Sequence, residues 1–283
     1  MIKPFFRVPG FTLYLADSLA LLPKFAENSV DLIFADPPYF LSNGTFTCHA
    51  GRAVSVKKAD WDIGEDFQKN FNFHLEWIRA CKRVLKPNGT IWISGTYHSI
   101  YQCGYALQLA GFTILNDIAW YKPNASPNLS CRYFTASHET LIWAKKDKKA
   151  KHTFNYDLAR NGNWPEDHLK RQGSQMRSVW SINTPNPSEK IFGKYQPHKS
   201  FKLLKRIILL ASNEGDLVLE LFTTRPAAGI ASYILGRRFI GVDTGKWSES
   251  KKPIRICSKG RIEKLDFFSY ANSFRYKNCR TIS

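Results

Sequence analysis

The chain has 283 residues, is 43% hydrophobic and carries a formal charge of +18. That length suits one large α/β domain with an insertion as well as it suits two small domains, and no apolar stretch reaches the ~20 residues of a membrane span. The cationic excess favours a polyanionic partner, nucleic acid first, and six scattered cysteines without a CxxC pair point away from zinc and disulfide frameworks, toward a reduced cytoplasm.

The N-terminal stretch MIKPFFRVPG lacks a continuous apolar segment and a small-residue cleavage site, so no secretory signal is expected. Phe11 to Leu15 are strand-prone. Ser18 is placed to cap a helix carrying Leu19, Leu22 and Phe25. Ser29 to Ala35 form an apolar run around Asp31, as in a parallel strand covered on both faces. A polar loop from Ser42 to Phe67 follows, a length that usually serves function. Leu75, Ile78 and Leu85 keep helical spacing, and the KPNG that follows is expected to stop that helix.

Further on, a strand is expected at Thr90 to Ser94, a helix at Ser99 to Ala110, and strands at Thr113 to Trp120 and Thr140 to Ala144. Lys145 to Lys194 is basic, polar and poorly periodic, and reads as an insertion. Regularity returns with the helix KSFKLLKRIILLAS, the strand GDLVLELF, the helix AAGIASYILG closed by Gly236, and the strand RRFIGVD. The segment Thr244 to Ser283 is polar and irregular, and no internal repeat is present. Strands alternating with helices predict an α/β layered fold with a mainly parallel sheet. Ligands bind such sheets at the carboxyl ends of the strands, where Asp36 and Asp243 fall.

The chemistry concentrates in Asp36-Pro37-Pro38-Tyr39. An ionised Asp36 only accepts hydrogen bonds. The prolines lack N–H groups and hold their carbonyls stiffly. Such a corner suits a group with two donor hydrogens, such as the exocyclic amine of a nucleobase, with the Tyr39 ring stacked on the base. A base must leave its stack to reach it. A proline-rich turn after a strand is the structural alternative.

The strings DLIFADPPYFLSNG, KADWD, VLKPNGTIWISG, PNLSCRYFTASHETLIWAKK and LGRRFIGVD together resemble the amino-methyltransferases that act on adenine N6 in DNA, from Leu13 to Asp243. The order, catalytic half first and cofactor half last, resembles their β group. Methyltransferases of GATC-recognising restriction systems, some of which tolerate single strands, are the most similar in pattern.

The resemblance implies a Rossmann-like fold with helices on both faces of the sheet, S-adenosylmethionine as methyl donor and no metal. Asp36, Pro37, Pro38 and Tyr39 would be catalytic, and Asp17, Lys199, Glu220, Phe222, Thr223 and Asp243 would serve the cofactor, with a helix N-cap an equal alternative for Asp17. Lys122, Asn128 and Arg132 would face the DNA, double-stranded or single-stranded. A cognate restriction endonuclease and a homodimer are the further partners to expect. The implied organisation is a catalytic half at 1–144, a target-recognition insertion at 145–194, a cofactor half at 195–243 and a basic tail at 244–283. Asn163, Gln172, Gln175 and Arg177 are candidate base readers within the insertion, though a solvated basic loop is the default for each.

Three departures from the family pattern cluster in the cofactor half. Glu220 replaces an aspartate, and Thr224, Arg225 and Pro226 occupy a glycine turn, where side chains obstruct a close backbone approach. The lysine-rich motif before the Leu203 helix keeps only Lys194 and Lys199. The helix expected after Asp243 is interrupted by Pro253. Weakened cofactor binding, a disabled DNA-binding relative and cytosine-N4 methylation are therefore the competing readings.

Overall fold

The computed structural model describes residues 2–40, 66–167, 169, 171, 173–185, 199–223 and 227–244, with the backbone of a small hairpin at 46–49 and 52–55. The loop tryptophan Trp61, Gln172, Lys194, the altered turn Thr224 to Pro226 and the tail beyond Thr244 lie outside them.

In chain order the strands are β1 (Phe6–Val8), β2 (Phe11–Leu15), β3 (Val30–Ala35), the hairpin β4 (Phe46–His49) and β5 (Arg52–Ser55), β6 (Leu85–Gly95), β7 (Thr113–Tyr121), β8 (His138–Lys145), β9 (Val179–Ser181), β10 (Leu217–Leu221) and β11 (Arg238–Asp243). The helices are α1 (Ser18–Leu21), α2 (Phe67–Val84), α3 (Ile100–Leu109), α4 (Tyr156–Asn161), α5 (Phe201–Ala211) and α6 (Ala227–Ile234). One sheet runs β1-β2-β11-β10-β3-β6-β8-β7-β9. Its centre, β2-β11-β10-β3-β6, is parallel, and β8 runs antiparallel to both β6 and β7.

Every residue of β3 is buried, as its continuous apolar run predicts. Side chains alternate between two cores. Leu32, Phe34, Trp92 and Val218 point to the face covered by α5 and α6, while Ile33, Ala35, Ile91, Ile93 and Leu219 point to the face covered by α1, α2 and α3. The family's doubly covered sheet is thus present.

Local details differ from the sequence reading for steric reasons. Asp17, rather than Ser18, caps α1 by accepting from the Leu19 N–H at 2.7 Å. Pro23 then confines that helix to one turn plus a 3₁₀ turn. Helix α2 ends at Val84, so Leu85 already pairs with Val30 as strand. KPNG bulges out of β6 before pairing resumes at Thr90 with Leu32. Gly89 is needed in this bulge because a Cβ there would lie 2.7 Å from the Asp31 carbonyl oxygen.

Within the stretch read as an insertion, Val179–Ser181 adds a parallel strand to β7. Trp180 is buried beside Trp92, which stacks on Trp143 at 5.0 Å. Arg206 of α5 fastens this region down. Its guanidinium donates to Asp167 at 2.6 Å and lies 4.8 and 4.9 Å from the Trp164 and Trp180 ring centres. Both side chains of that ion pair are almost fully buried. Removing one partner leaves the other charge uncompensated. Arg206→Met is therefore expected to lower unfolding free energy by about 3–5 kcal/mol, read as a lower urea midpoint with unchanged slope.

Candidate active site

Asp36 follows the last residue of β3, at the carboxyl edge of the sheet. Pro37 is buried and fixes the chain's exit. Around the Asp36 carboxylate the fold collects donors from distant elements. Tyr39 Oη donates to Asp36 Oδ1 at 2.6 Å, and Ser94 Oγ, near the end of the adjacent β6, donates to the same oxygen at 2.6 Å. Lys199 Nζ donates to Asp36 Oδ2 at 2.7 Å and to Tyr39 Oη at 2.8 Å.

Glu139, at the start of β8, completes the cluster. It lies 3.3 Å from Lys199 and accepts from Lys122, just past the end of β7, at 2.6 Å. Two carboxylates and two ammonium groups thus balance in a largely desolvated corner. Burial alone would raise the Glu139 carboxyl, but Lys199 and Lys122 pull it down to about 2. Burial opposes the charge on Lys199, yet Asp36 and Glu139 more than compensate and raise its pKa. Tyr39 is driven well above its ordinary range by burial and by the Asp36 and Glu139 carboxylates, so its hydroxyl is a standing donor.

The strand ends beside β3 hold the residues assigned to the cofactor. Glu220 is buried on β10. Its pKa is raised well above the carboxylate range by burial and then by Asp36, with Asp243 acting in the same sense. Among the described residues, Glu220 Oε2 meets no donor. A buried carboxyl with one oxygen unpaired, beside two further acids, is a place for a cationic ligand.

Thr223 is occupied structurally. Its N–H donates to the Val242 carbonyl at 2.8 Å and its hydroxyl to the Glu220 carbonyl at 3.1 Å, pinning the turn after β10 onto β11. Asp17 spends one oxygen on the α1 cap. Asp243 closes β11, its carbonyl accepting from Ala16 at 2.8 Å.

Two turns at neighbouring strand ends place phenylalanines in the left-handed region, Phe40 after β3 with φ 55° and Phe222 after β10 with φ 62°. Such conformations cost roughly 1–3 kcal/mol each. Both rings enter one aromatic box built by α2. Phe40 meets His74 at 5.5 Å and Phe73 at 6.2 Å, and Phe222 meets Trp77 at 5.4 Å and Phe73 at 6.0 Å.

Of the residues expected to face DNA, Arg132 is exposed. Lys122 is 14% exposed and committed to Glu139. Asn128 holds its own loop, donating to the Tyr133 carbonyl at 2.7 Å and accepting from the Ser130 N–H at 3.0 Å. Asn163, Gln175 and Arg177 are spread along the surface between α4 and β9. The sequence reading did not single out Ser94 and Glu139. The signal for them lay in the strand ends: each is the polar residue where an apolar run meets the Asp36 edge.

His74 is completely buried in the aromatic box, and burial lowers its pKa to about 4. Its folded value lies below the unfolded one, so the unfolded chain binds the extra proton. Stability is complete above about pH 6.5 and falls as pH drops toward 4. Between pH 7 and 5 this one group should cost about 2 kcal/mol. Denaturant titrations of wild type and His74→Phe at both pH values should show that difference in wild type only.

Comparisons with known proteins give the family and the fold. A family model described as DNA methylase, the N6/N4 methyltransferases, matches residues 30–249. The chain is 47% identical over 247 residues to the Type II methyltransferase M2.DpnII of Streptococcus pneumoniae, covering 87% of this chain and 89% of that protein. It is 42% identical over 244 residues to M2.MboI of Moraxella bovis, covering 86% of each. Among solved structures, the M1.HpyAVI–SAM complex superposes with a TM-score of 0.60 at 26% identity, over 87% of this chain and 98% of that one. The cytosine-N4-specific PvuII DNA methyltransferase superposes with a TM-score of 0.65 at 15% identity, over 97% and 95% of the two chains. At that identity it shows the shared fold alone.

Proposed function

The chain belongs to the DNA methylase family, and on that premise we propose that it transfers a methyl group from S-adenosylmethionine to the exocyclic N6 amine of adenine in DNA. The observation carrying this reading is the Asp36 carboxylate, set at the end of a buried parallel strand and followed by two prolines. Aspartate at the head of the tetrapeptide favours adenine over cytosine N4, whose enzymes tend to carry serine there. Relatives named Type II methyltransferases support a role in restriction and modification, with a cognate endonuclease as partner at the level of the system.

S-adenosylmethionine supplies an electrophilic methyl group on a positively charged sulfur. The Glu220 carboxyl, one of whose oxygens meets no donor, with Asp243 beside it and Phe222 at the next turn, suits such a cation and would hold it. The remaining chemistry belongs to the catalytic corner. Asp36 and the Pro37 carbonyl accept the two hydrogens of the amine, drawing its lone pair out of conjugation with the ring. Tyr39 gives up its bond to Asp36 and lays its ring against the base. Lys199 stays on the other carboxylate oxygen and keeps Asp36 in place. Much of the acceleration then comes from orientation.

Residues 145–194 serve target recognition in this reading, and Arg132 contacts phosphate, an attraction that weakens with salt. The setting is the cytoplasm, consistent with free thiols at Cys81, Cys103 and Cys131. No described helix is long and apolar enough to cross a membrane. Self-association would use the outer face of α3, where Tyr101, Tyr105 and Leu109 are exposed and no charged residue occurs. On a chain of net charge +18, that face lets two copies meet without repulsion.

Transfer of labelled methyl to mixed-sequence DNA tests the proposal. Label should appear as N6-methyladenine, and Asp36→Ala should lower the rate about a thousandfold. Lys199→Met should lower kcat by about 10- to 100-fold with DNA affinity unchanged. Label in N4-methylcytosine would reassign the substrate. No label from folded protein that still binds DNA would make the chain a binding relative without catalysis.

A further inference from the structure

Between β7 and β8 the chain leaves the sheet at Lys122 and returns at His138, and the apex of this loop is built to expose aromatic rings. Phe134 is 96% exposed and Tyr133 66%. Arg132 beside them is also at the surface, and no acidic residue occurs from Lys122 to His138. A phenylalanine in water is ordinarily a cost that a chain avoids by folding the ring back.

Here the loop's own hydrogen bonds hold the backbone that carries the rings. The Asn128 amide donates to the Tyr133 carbonyl at 2.7 Å, and its carbonyl oxygen accepts from the Ser130 N–H and hydroxyl at 3.0 and 2.9 Å. The Asn128 N–H donates to Thr135 Oγ1 at 3.2 Å, and Cys131 takes φ 51° to make the bend. At the base, the Lys122 N–H donates to the Ser137 carbonyl at 2.8 Å. The loop is therefore held as a projection with its two rings outward.

Its base is the catalytic corner itself. Trp120 pairs with Glu139 and Tyr121 with His138 across β7 and β8. Lys122 and Glu139 at these strand ends form the ion pair that supports Lys199. Phe134 is five residues from Glu139, so at most about 18 Å of extended chain separates them. An aromatic pair flanked by a cation and anchored beside the site matches what an interrupted base stack needs. Drawing a base out of a duplex leaves a gap between its neighbours, and apolar or aromatic side chains inserted between base steps fill such gaps.

We propose that the β7–β8 loop is the wedge that occupies the duplex when the target base is extruded, with the Phe134 ring entering the stack, Tyr133 covering its edge and Arg132 holding the adjoining phosphate. This rests on the DNA-methylating reading and assigns the step that reading leaves open, how the duplex tolerates the missing base. A wedge is needed in a duplex and idle on a single strand.

The test uses the full chain and matched duplexes, one intact and one carrying a single abasic site, with affinity read by fluorescence anisotropy. Wild type should bind the abasic duplex about tenfold more tightly, because the gap is already open. Phe134→Ala should bind both alike, and Phe134→Trp should restore the preference. Phe134 is almost wholly exposed, so its truncation should leave the thermal melt unchanged. In parallel, Phe134→Ala should lower kcat/KM for methyl transfer to double-stranded DNA about tenfold or more, and leave transfer to the same sequence as a single strand within about twofold.

A preference kept by Phe134→Ala, no preference in wild type, or equal losses on single and double strands would overturn the wedge. Abasic preference lost in Phe134→Ala, in a wild type that transfers no methyl to any DNA, would uphold the wedge and sink the enzymatic reading instead.

Discussion

Lys199 lying between Asp36 and Glu139 is the constraint on which the rest of the site depends. Without it, two largely buried carboxylates would converge on one tyrosine hydroxyl, which can donate to only one of them. At the effective dielectric of a protein interior each contact is worth roughly 4–6 kcal/mol, and desolvating the charges returns a similar sum. The cluster therefore adds little net stability. What it fixes is position, because any displacement of Lys199 exposes two uncompensated acids at once. Lys199 also lies 163 residues from Asp36 and two residues before α5, so the same ion pair closes the last third of the chain onto the first.

The sheet order explains how so many chemical groups reach one corner. Glu220, Asp36, Ser94, Glu139 and Lys122 come from β10, β3, β6, β8 and β7, which are consecutive in the sheet. In the parallel part, each strand delivers its carboxyl end to the site. Strand β8 runs the other way, so it delivers its beginning: Gly95 at the end of β6 pairs with Thr140, next to Glu139. This reversal lets an acid at a strand start face an acid at a strand end, with Lys199 between them. Behind the corner the Trp92, Trp143 and Trp180 rings fill the core and hold these strands in register.

The strand–helix alternation and the Asp36 corner could be read from the sequence because both are local signals. A buried strand announces itself by a continuous apolar run, and an aspartate before two prolines announces a stiff acceptor edge. Glu139 and Ser94 carry no such local mark. Their importance comes from strand neighbours 103 and 58 residues away from Asp36, which periodicity does not specify. The same holds for Lys199, legible as a family lysine but not as the partner of Asp36. Asp17 illustrates the opposite case. Its cap on α1 is a short-range effect that sequence spacing allows to Asp17 and Ser18 alike, and the Asp17 carboxylate is the group that accepts from the Leu19 N–H. Trp180 sits in a polar stretch without periodicity, and its burial follows from pairing with β7 rather than from its own neighbours.

Charge is also sorted by location. The side proposed for the cofactor gathers Asp36, Glu220 and Asp243, and burial together with these neighbouring acids raises the Glu220 carboxyl well above its ordinary range, against the opposing pull of Lys199. The side proposed for DNA carries the exposed Arg132, on a chain whose excess charge is +18, while Lys122 and Lys199 are committed to Glu139 and Asp36. A cationic methyl donor and a polyanionic acceptor would thus be drawn to opposite sides of one carboxylate. In the resting arrangement that carboxylate is already satisfied by Tyr39, Ser94 and Lys199. An amine that reaches this carboxylate must displace one of these. Ser94 is fixed on a buried strand and Lys199 by a second acid, whereas Tyr39 lies on the turn after β3. In the proposed reaction the tyrosine that guards the carboxylate is therefore also the group that would swing away, its ring becoming available for stacking as a base takes its place.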